Sequence, residues 1–355
     1  HYGTYNVAES DDWDYEKTEE SYDEEATPHV EYEILNYPAD TTLAGYRSQF
    51  ADNVLVIPEF QRRFVWDQVK ASKLIESFLL GLPVPGVFLY KPRKGSTLQV
   101  IDGHQRITSV VSFLNGTIRD GVFRLKGVLP RWNGKRFVDL SDEEQFKLNQ
   151  SVMRSIIIQQ LDPEDDKSIY MIFERLNTGG INLNPMEVRR CVYFGDFIHQ
   201  LDEFNKDKNW RKCLGQPKVD PRYRDVELAL RILALNDRLD EYEKPMKGFL
   251  SFYMADHKDG AGIPERLNLL RNACRTVVQT LGEKPFHVRS RLNYSVMDAT
   301  LIALIRLGDR ANLANYNSLI RDEEFIRDTS QDTSDTSVIV NRITKAERML
   351  SDAAE

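Results

Sequence analysis

Apolar and polar positions alternate in short blocks over the first half of the chain. Val54-Leu55-Val56-Ile57 predicts a strand stopped by Pro58. Between Asp67 and Leu80, Val69, Leu74, Ile75, Phe78 and Leu79 recur at helical spacing, with Gly81 as the stop. Pro83 and Pro85 bracket a turn into a strand over Val87-Phe88-Leu89-Tyr90. Thr97 to Ile101 predicts another strand, and Gln105 to Leu114 a helix closed by Asn115-Gly116. Arg154 to Gln159, with its consecutive isoleucines, predicts a fourth strand. Asp162-Pro163 has the form of an N-cap and a first-turn proline, predicting a helix through Phe173. Asn184-Pro185-Met186-Glu187 repeats that form with a glutamate at the capping-box position.

From about residue 196 the strand pattern stops. Val226–Leu239, Gly248–Met254, Pro264–Leu281, Val296–Leu307 and Val338–Leu350 have helical periodicity with charged faces, and Ser330–Ser337 is a polar loop. No fixed period recurs, which favours a bundle over a solenoid. The expected class is α+β: a mixed-sheet domain over 31–195 followed by an all-helical domain over 196–355.

At 355 residues and 41% hydrophobic content the chain can form two domains. Mean hydropathy is -0.47. No apolar run approaches the ~18 residues of a membrane span, and no signal-like segment opens the sequence. Cys191, Cys213 and Cys274 are odd in number and widely spaced, which excludes a disulfide framework and fits a reducing cytoplasm.

Charge changes the picture more. Residues 1–30 hold ten carboxylates against one cation, Lys17, and so carry -9 of a chain total of -8, leaving the rest at +1. The body can therefore contain a basic groove without a basic chain. The acidic segment has almost no aliphatic residues but includes Tyr2, Tyr5, Trp13, Tyr15 and Tyr22, and is expected to be mobile. It reads as a solubilising tail, or as an acidic-aromatic strip that mimics nucleic acid or docks on a partner.

Three constellations could carry chemistry. In Val100-Ile101-Asp102-Gly103-His104-Gln105-Arg106 a strand ends at a carboxylate, glycine turns the chain and a helix begins. Unpaired first-turn N–H groups welcome an anion there, and the Arg106 fork suits phosphate oxygens. Asp102 could hold Mg²⁺ or orient a water. The plain alternative makes Asp102 an N-cap and Arg106 a surface ion pair. In Ile57–Trp66, aromatic residues alternate with Gln61, Arg62 and Arg63, as base stacking with backbone contact would require, or as a connection burying Phe60, Phe64 and Trp66 would also require. In Phe173-Glu174-Arg175-Leu176-Asn177-Thr178-Gly179-Gly180 a compact turn can form an anion nest or a simple helix hairpin. There is no Walker P-loop, no nucleophile elbow and no histidine pair at metal-ligand spacing. His287 and Asn293 lack the third partner of an HNH nuclease.

Together, in this order, these segments resemble the N-terminal domain family of the GmrSD type IV restriction enzymes, a branch of the ParB/sulfiredoxin-like fold. The matching elements are Ile57-Pro58-x-Phe60-Gln61-Arg62-x-x-Val65-Trp66, Leu74-Ile75-Glu76-Ser77 with Gly81-x-Pro83-x-Pro85, Ile101-Asp102-Gly103-x-Gln105-Arg106, and Phe173 to Gly180 with Glu187 and Arg189. The resemblance implies NTP binding and hydrolysis, with Mg²⁺, coupled to action on foreign or modified DNA in defence against phage. It assigns Asp102, Gln105 and Arg106 to catalysis and Asp102 to the metal. Nucleotide contacts fall to Gln61, Arg62, Gly103, His104, Glu174, Arg175, Asn177, Thr178 and Gly179. His104 stands where the family usually has Gln, which puts a group that titrates near neutrality at that contact. The sequence ends without the family's C-terminal HNH nuclease domain. The expectation is a cytoplasmic protein that binds DNA, with no membrane. It is either the sensing or NTPase subunit of a two-protein system, with a separate nuclease protein and further copies of itself as candidate partners, or a stand-alone module with another role. The rival readings are a DNA-binding sensor without turnover and a ParB-like small-molecule phosphotransferase. No cysteine lies near the motifs, which argues against sulfiredoxin chemistry.

Overall fold

The computed structural model describes Tyr15 and residues 32–57, 66–163, 167–176, 184–193 and 195–351. The acidic segment, Tyr15 apart, lies outside the described residues, and with it the expectation that it is mobile. The chain divides into two compact units, Val30–Leu183 with Arg190–Val192, and His1–His29 with Asn184–Arg189 and Tyr193–Glu355.

In the first unit the elements are β1 (Glu33–Thr42), α1 (Leu43–Ala51), β2 (Leu55–Val56), α2 (Gln68–Leu80), β3 (Val87–Tyr90), β4 (Leu98–Asp102), α3 (His104–Asn115), β5 (Thr117–Ile118), β6 (Gly121–Val122), α4 (Asp142–Gln150), β7 (Val152–Asp162) and α5 (Ser168–Leu176). Five strands form a mixed sheet in the order β1-β7-β3-β4-β2, and β5 pairs with β6 apart from it. β1 is antiparallel to β7 and β3 to β4; β7 with β3 and β4 with β2 are parallel.

The pleat explains the burial. Met153, Ser155 and Ile157 of β7 are buried while Val152, Arg154 and Ile156 are exposed, the period-2 pattern of a strand with one covered face. Val87, Leu89, Val100, Met153 and Ile157 join a core with Leu43 and Tyr46 of α1, Leu74 and Phe78 of α2, and Val110 and Phe113 of α3. Phe113 is fully enclosed, edge-on to Phe123 at 5.2 Å and to Phe137 at 6.1 Å; burying one such ring is worth roughly 1.5–3 kcal/mol. The next residues along, Tyr90, Ile101 and Ile158, are buried outside that cluster, on the alternate face, and α5 lies against β4.

Two differences from expectation stand out here. The helix expected from Asp162 begins at Ser168, because β7 continues to Asp162, which pairs with Glu33 of β1. Gln160 shapes the turn: its Oε1 accepts from the Ser168 N–H at 2.7 Å and its Nε2 donates to the Pro163 carbonyl. β1 itself was not expected. It contains Pro38 and sits at the sheet edge, the place where a proline removes no needed ladder bond.

Next in the chain comes α6 (Pro185–Val192), and its capping box forms as expected. Asn184 Oδ1 accepts from the Glu187 N–H at 2.9 Å, and the Asn184 N–H donates to Glu187 Oε2 at 2.7 Å.

The second unit is helical: α7 (Asp196–Phe204), α8 (Lys208–Leu214), α9 (Arg224–Arg238), α10 (Met246–Asp256), α11 (Ile263–Leu281), α12 (Tyr294–Leu307), α13 (Tyr316–Leu319), α14 (Glu323–Asp328) and α15 (Thr336–Met349). Leu230, Leu233, Leu235, Met254, Leu270, Cys274, Leu301, Ile302 and Ile343 are buried in it. None of the described helices is long and apolar enough to cross a membrane.

Candidate functional site

β4 ends at Asp102, opposite Phe88 at the start of β3. Gly103 then turns the chain with φ 91° and ψ 14°, and α3 begins at His104. Glycine is required twice over. A left-handed backbone costs other L-residues roughly 1–2 kcal/mol, and a Cβ here would lie 2.4 Å from Cγ1 of Val87. Side-chain oxygens of Thr42, Asp67 and Ser141 cap α1, α2 and α4, but among the described residues no side chain caps α3. Its positive dipole end is thus left for another acceptor.

Arg106 leans back over this turn. Its Nη2 donates to the Gly86 carbonyl at 2.8 Å and to Asp102 Oδ2 at 3.2 Å. The Arg106 Nε is buried and has no hydrogen-bond partner among the described residues. Asp102 is therefore an ion-pair partner rather than a helix cap, and Arg106, with its side chain 18% exposed, is not a surface residue. Gly86 matters as a carbonyl: a Cβ on it would meet the Arg154 carbonyl oxygen at 2.9 Å, so only glycine lets this chain pass so close to β7.

Gln105 is engaged at both ends of its amide. Oε1 accepts from the Trp66 N–H at 2.6 Å, and Nε2 lies 2.9 Å from His104 Nε2. This fastens the end of the aromatic-cationic stretch to the strand-turn-helix junction. Lys70 Nζ sits over the Trp66 ring at 4.9 Å.

Of the residues expected at the site, Asp102, Gly103, His104, Gln105 and Arg106 come together here. Glu174 and Arg175 lie on α5, the helix against β4; Glu174 is half-buried and Arg175 exposed. Gln61, Arg62, Asn177, Thr178 and Gly179 lie outside the described residues. Glu187 and Arg189 have structural work to do. Glu187 closes the α6 cap and pairs with Arg222 at 3.0 Å. Arg189 is fully buried and donates to Ser251 Oγ at 3.0 Å, the Lys247 carbonyl at 3.0 Å and Glu227. Sequence reading missed the Gly86 carbonyl, the Val87 side chain and the Trp66 N–H. The one available signal was the Pro83-x-Pro85-Gly86 turn, which fixes where β3 begins. Among the described residues, no three His, Cys, Asp or Glu side chains cluster as a metal would need.

A strand-turn-helix junction with a reserved glycine, an uncapped helix and an inward arginine is an architecture for holding an anion. Residues 42–194 match the family model of the GmrSD restriction endonuclease, N-terminal domain. No curated protein and no solved structure matches the chain significantly.

Proposed function

We propose that the GmrSD-type domain binds a nucleoside triphosphate at the turn after Asp102 and hydrolyses it, coupling turnover to engagement of foreign or modified DNA. The observation that carries this reading is the uncapped start of α3 beside Arg106, whose buried Nε has no partner among the described residues. Phosphate oxygens supply the acceptors that both lack. Gly103 makes the tight turn that presents the start of α3, since a Cβ there would collide with Val87. Mg²⁺ takes one or two carboxylates together with phosphate oxygens, so Asp102 alone fits it only when triphosphate is bound. The ion would neutralise charge on the phosphoryl group. Gln61, Arg62, His104, Glu174, Arg175, Asn177, Thr178 and Gly179 are the further nucleotide contacts the family resemblance assigns.

A second reading, a nucleotide or DNA sensor without turnover, is favoured by one observation. Both ends of the Gln105 amide are already bonded, so orienting a water would require it to release Trp66 or His104.

The test is equilibrium binding and phosphate release for each NTP, with and without DNA, in the natural chain, Arg106→Ala and Asp102→Asn. Arg106→Ala is expected to lose binding; Asp102→Asn is expected to bind and not turn over. Binding without turnover in the natural chain selects the sensor, and neither binding nor turnover under any condition removes both readings.

A further inference from the structure

Between Thr117 and Val138 the sequence holds six cations, Arg119, Arg124, Lys126, Arg131, Lys135 and Arg136, against one carboxylate, Asp120. The apolar residues among them turn inward. Phe123, Leu125 and Trp132 are buried, while Arg124, Lys126 and Arg131 are exposed, the alternation of an extended chain with one covered face. Arg119 stands at the β5–β6 turn with φ 52°, where glycine would sit more easily.

This ribbon is fixed in place. It doubles back on itself, with the Leu125 N–H donating to the Lys135 carbonyl at 2.9 Å and the Gly134 N–H to the Leu125 carbonyl at 2.7 Å. One stripe of α2 holds its side. Gln68 Nε2 donates to the Arg124 carbonyl at 2.6 Å, the Lys126 N–H to Ser72 Oγ at 3.0 Å, and the Leu129 N–H to Glu76 Oε1 at 2.8 Å. Lys70 and Lys73 are exposed on α2 beside that stripe.

Only part of the charge is answered within the unit. Arg136 and Arg124 share Asp139, at 2.7 and 3.9 Å, and Lys135 faces the charge of Glu144. Arg119, Lys126, Arg131, Lys70 and Lys73 have no ion-pair partner among the described residues, although Asp120 and Asp67 are close in sequence. The Arg131 guanidinium lies over the Trp132 ring at 4.0 Å, which steadies a long side chain before any ligand arrives.

We infer that the Arg119–Arg136 ribbon, with Lys70 and Lys73 of α2, is a face that binds the phosphodiester backbone of duplex nucleic acid without reading its bases. Apart from Val122 and Leu129, its outer surface offers charge and hydrogen-bond donors, the groups that contact phosphate, rather than the apolar seats a peptide would fill. The net charge of -8 does not forbid this, since exposed charges are screened beyond about 8–10 Å and the local surplus decides. The inference rests on the DNA-engagement half of the proposed function and needs no nucleotide turnover.

The test is the affinity of the full chain for a duplex oligonucleotide of arbitrary sequence, measured from about 50 to 200 mM salt. Arg119→Gln, Lys126→Gln and Arg131→Gln together are expected to flatten the slope of log K against log salt by roughly 2–3, and to lower affinity roughly tenfold or more at the lowest salt. Lys126→Gln alone, which touches no ring, is expected to flatten it by about 0.9 and serves if the triple variant unfolds early. Arg275→Gln, Arg310→Gln and Arg321→Gln remove the same charge from exposed positions of the helical unit and are expected to leave the slope unchanged. If both triple variants weaken binding alike, or neither does, the face is refuted while DNA engagement stands. If the natural chain does not bind the duplex at any salt, the DNA half of the proposed function falls and takes this inference with it. Retention on vesicles of acidic phospholipid that the ribbon variant loses, with duplex binding unchanged, would assign the face to a membrane surface and overturn the inference.

Discussion

Asp298 in the helical unit and Asp102 in the sheet unit both accept from arginine, in opposite surroundings. Asp298 is fully buried between Arg231, at 2.7 Å, and Arg342, at 2.8 Å, themselves buried. All three Arg342 nitrogens are engaged: Nε and Nη2 with Asp298, Nη1 with the Thr333 carbonyl at 2.6 Å. Arg211 follows the same rule around Asp225, Asn205 and the Gln216 carbonyl. At the sheet unit's turn, Asp102 is 41% exposed and Arg106 keeps a buried Nε with no acceptor. A guanidinium with every donor matched is finished as structure. One left short of an acceptor beside an uncapped helix is finished only when something else arrives.

The widest break between the two aspartates should appear in stability. Asp298→Ala would leave two buried guanidinium groups facing each other without their shared carboxylate, and removing one partner of a buried pair costs roughly 3–5 kcal/mol. Urea unfolding followed by circular dichroism measures it; a loss below about 1 kcal/mol would erase the distinction drawn between the clusters. Next comes Gly103→Ala. The left-handed backbone alone costs roughly 1–2 kcal/mol, and the approach to Val87 at 2.4 Å adds to it. Gly116, at the other end of α3 with φ 82°, has nothing within 4 Å of a built Cβ. Gly116→Ala therefore carries the backbone term without the collision, and the difference between the two variants isolates the packed turn. Only the Gly103 change should abolish nucleotide binding in a titration.

Asp102→Asn sharpens the comparison from the other side. The carboxylate is 41% open to solvent and its bond to Arg106 is 3.2 Å long, so the pair is worth about 1 kcal/mol and the midpoint of unfolding should move little. Phosphate release should nonetheless fall to background. A variant that unfolds readily would make Asp102 a second Asp298 and its proposed chemistry superfluous.

How far the sequence foretold this depends on whether the signal was local. The capping box at Asn184–Glu187, the helix from Asp67 to Gly81 and the turn at Asp102-Gly103 all rest on residues within a few positions of one another, and each formed. β1 depends on pairing with β7, more than a hundred residues away, and its own string Glu33–Thr42 includes a proline, so no local pattern announced it. The Asp162-Pro163 signal was genuine helix chemistry overruled by that same distant strand. At the site, the presence of Asp102, Gly103 and Arg106 was legible, but the acceptor that orients Arg106 was not. The Gly86 carbonyl has no side chain to read, and only the sheet brings it there. Cys213 and Cys274, far apart in sequence, are both buried, with Cys213 Sγ 4.0 Å from the Cys274 carbonyl oxygen.

The smallest effect expected belongs to a carboxylate between these extremes. Glu144 begins α4, takes part in its capping box with Ser141 and accepts from Trp132 Nε1 at 2.6 Å. That indole bond chiefly, aided by the Ser141 N–H against a modest burial penalty, holds its carboxyl below the ordinary value of 4.5. A lowered folded-state pKa means the ionised form is the one stabilised. The contribution is complete above the unfolded value and fades as pH falls through the folded one. Glu144→Gln removes the charge but keeps an acceptor, so the natural chain should be the more stable at neutral pH by less than about 1 kcal/mol, the group being largely screened by solvent. The gap should close in more acidic solution, below the ordinary glutamate range. Unfolding midpoints of the two chains measured side by side from pH 7 to pH 3 give the result. A gap that persists unchanged at the acid end would show that packing of the Trp132 loop, and not the ionised carboxylate, sets the strength of this contact.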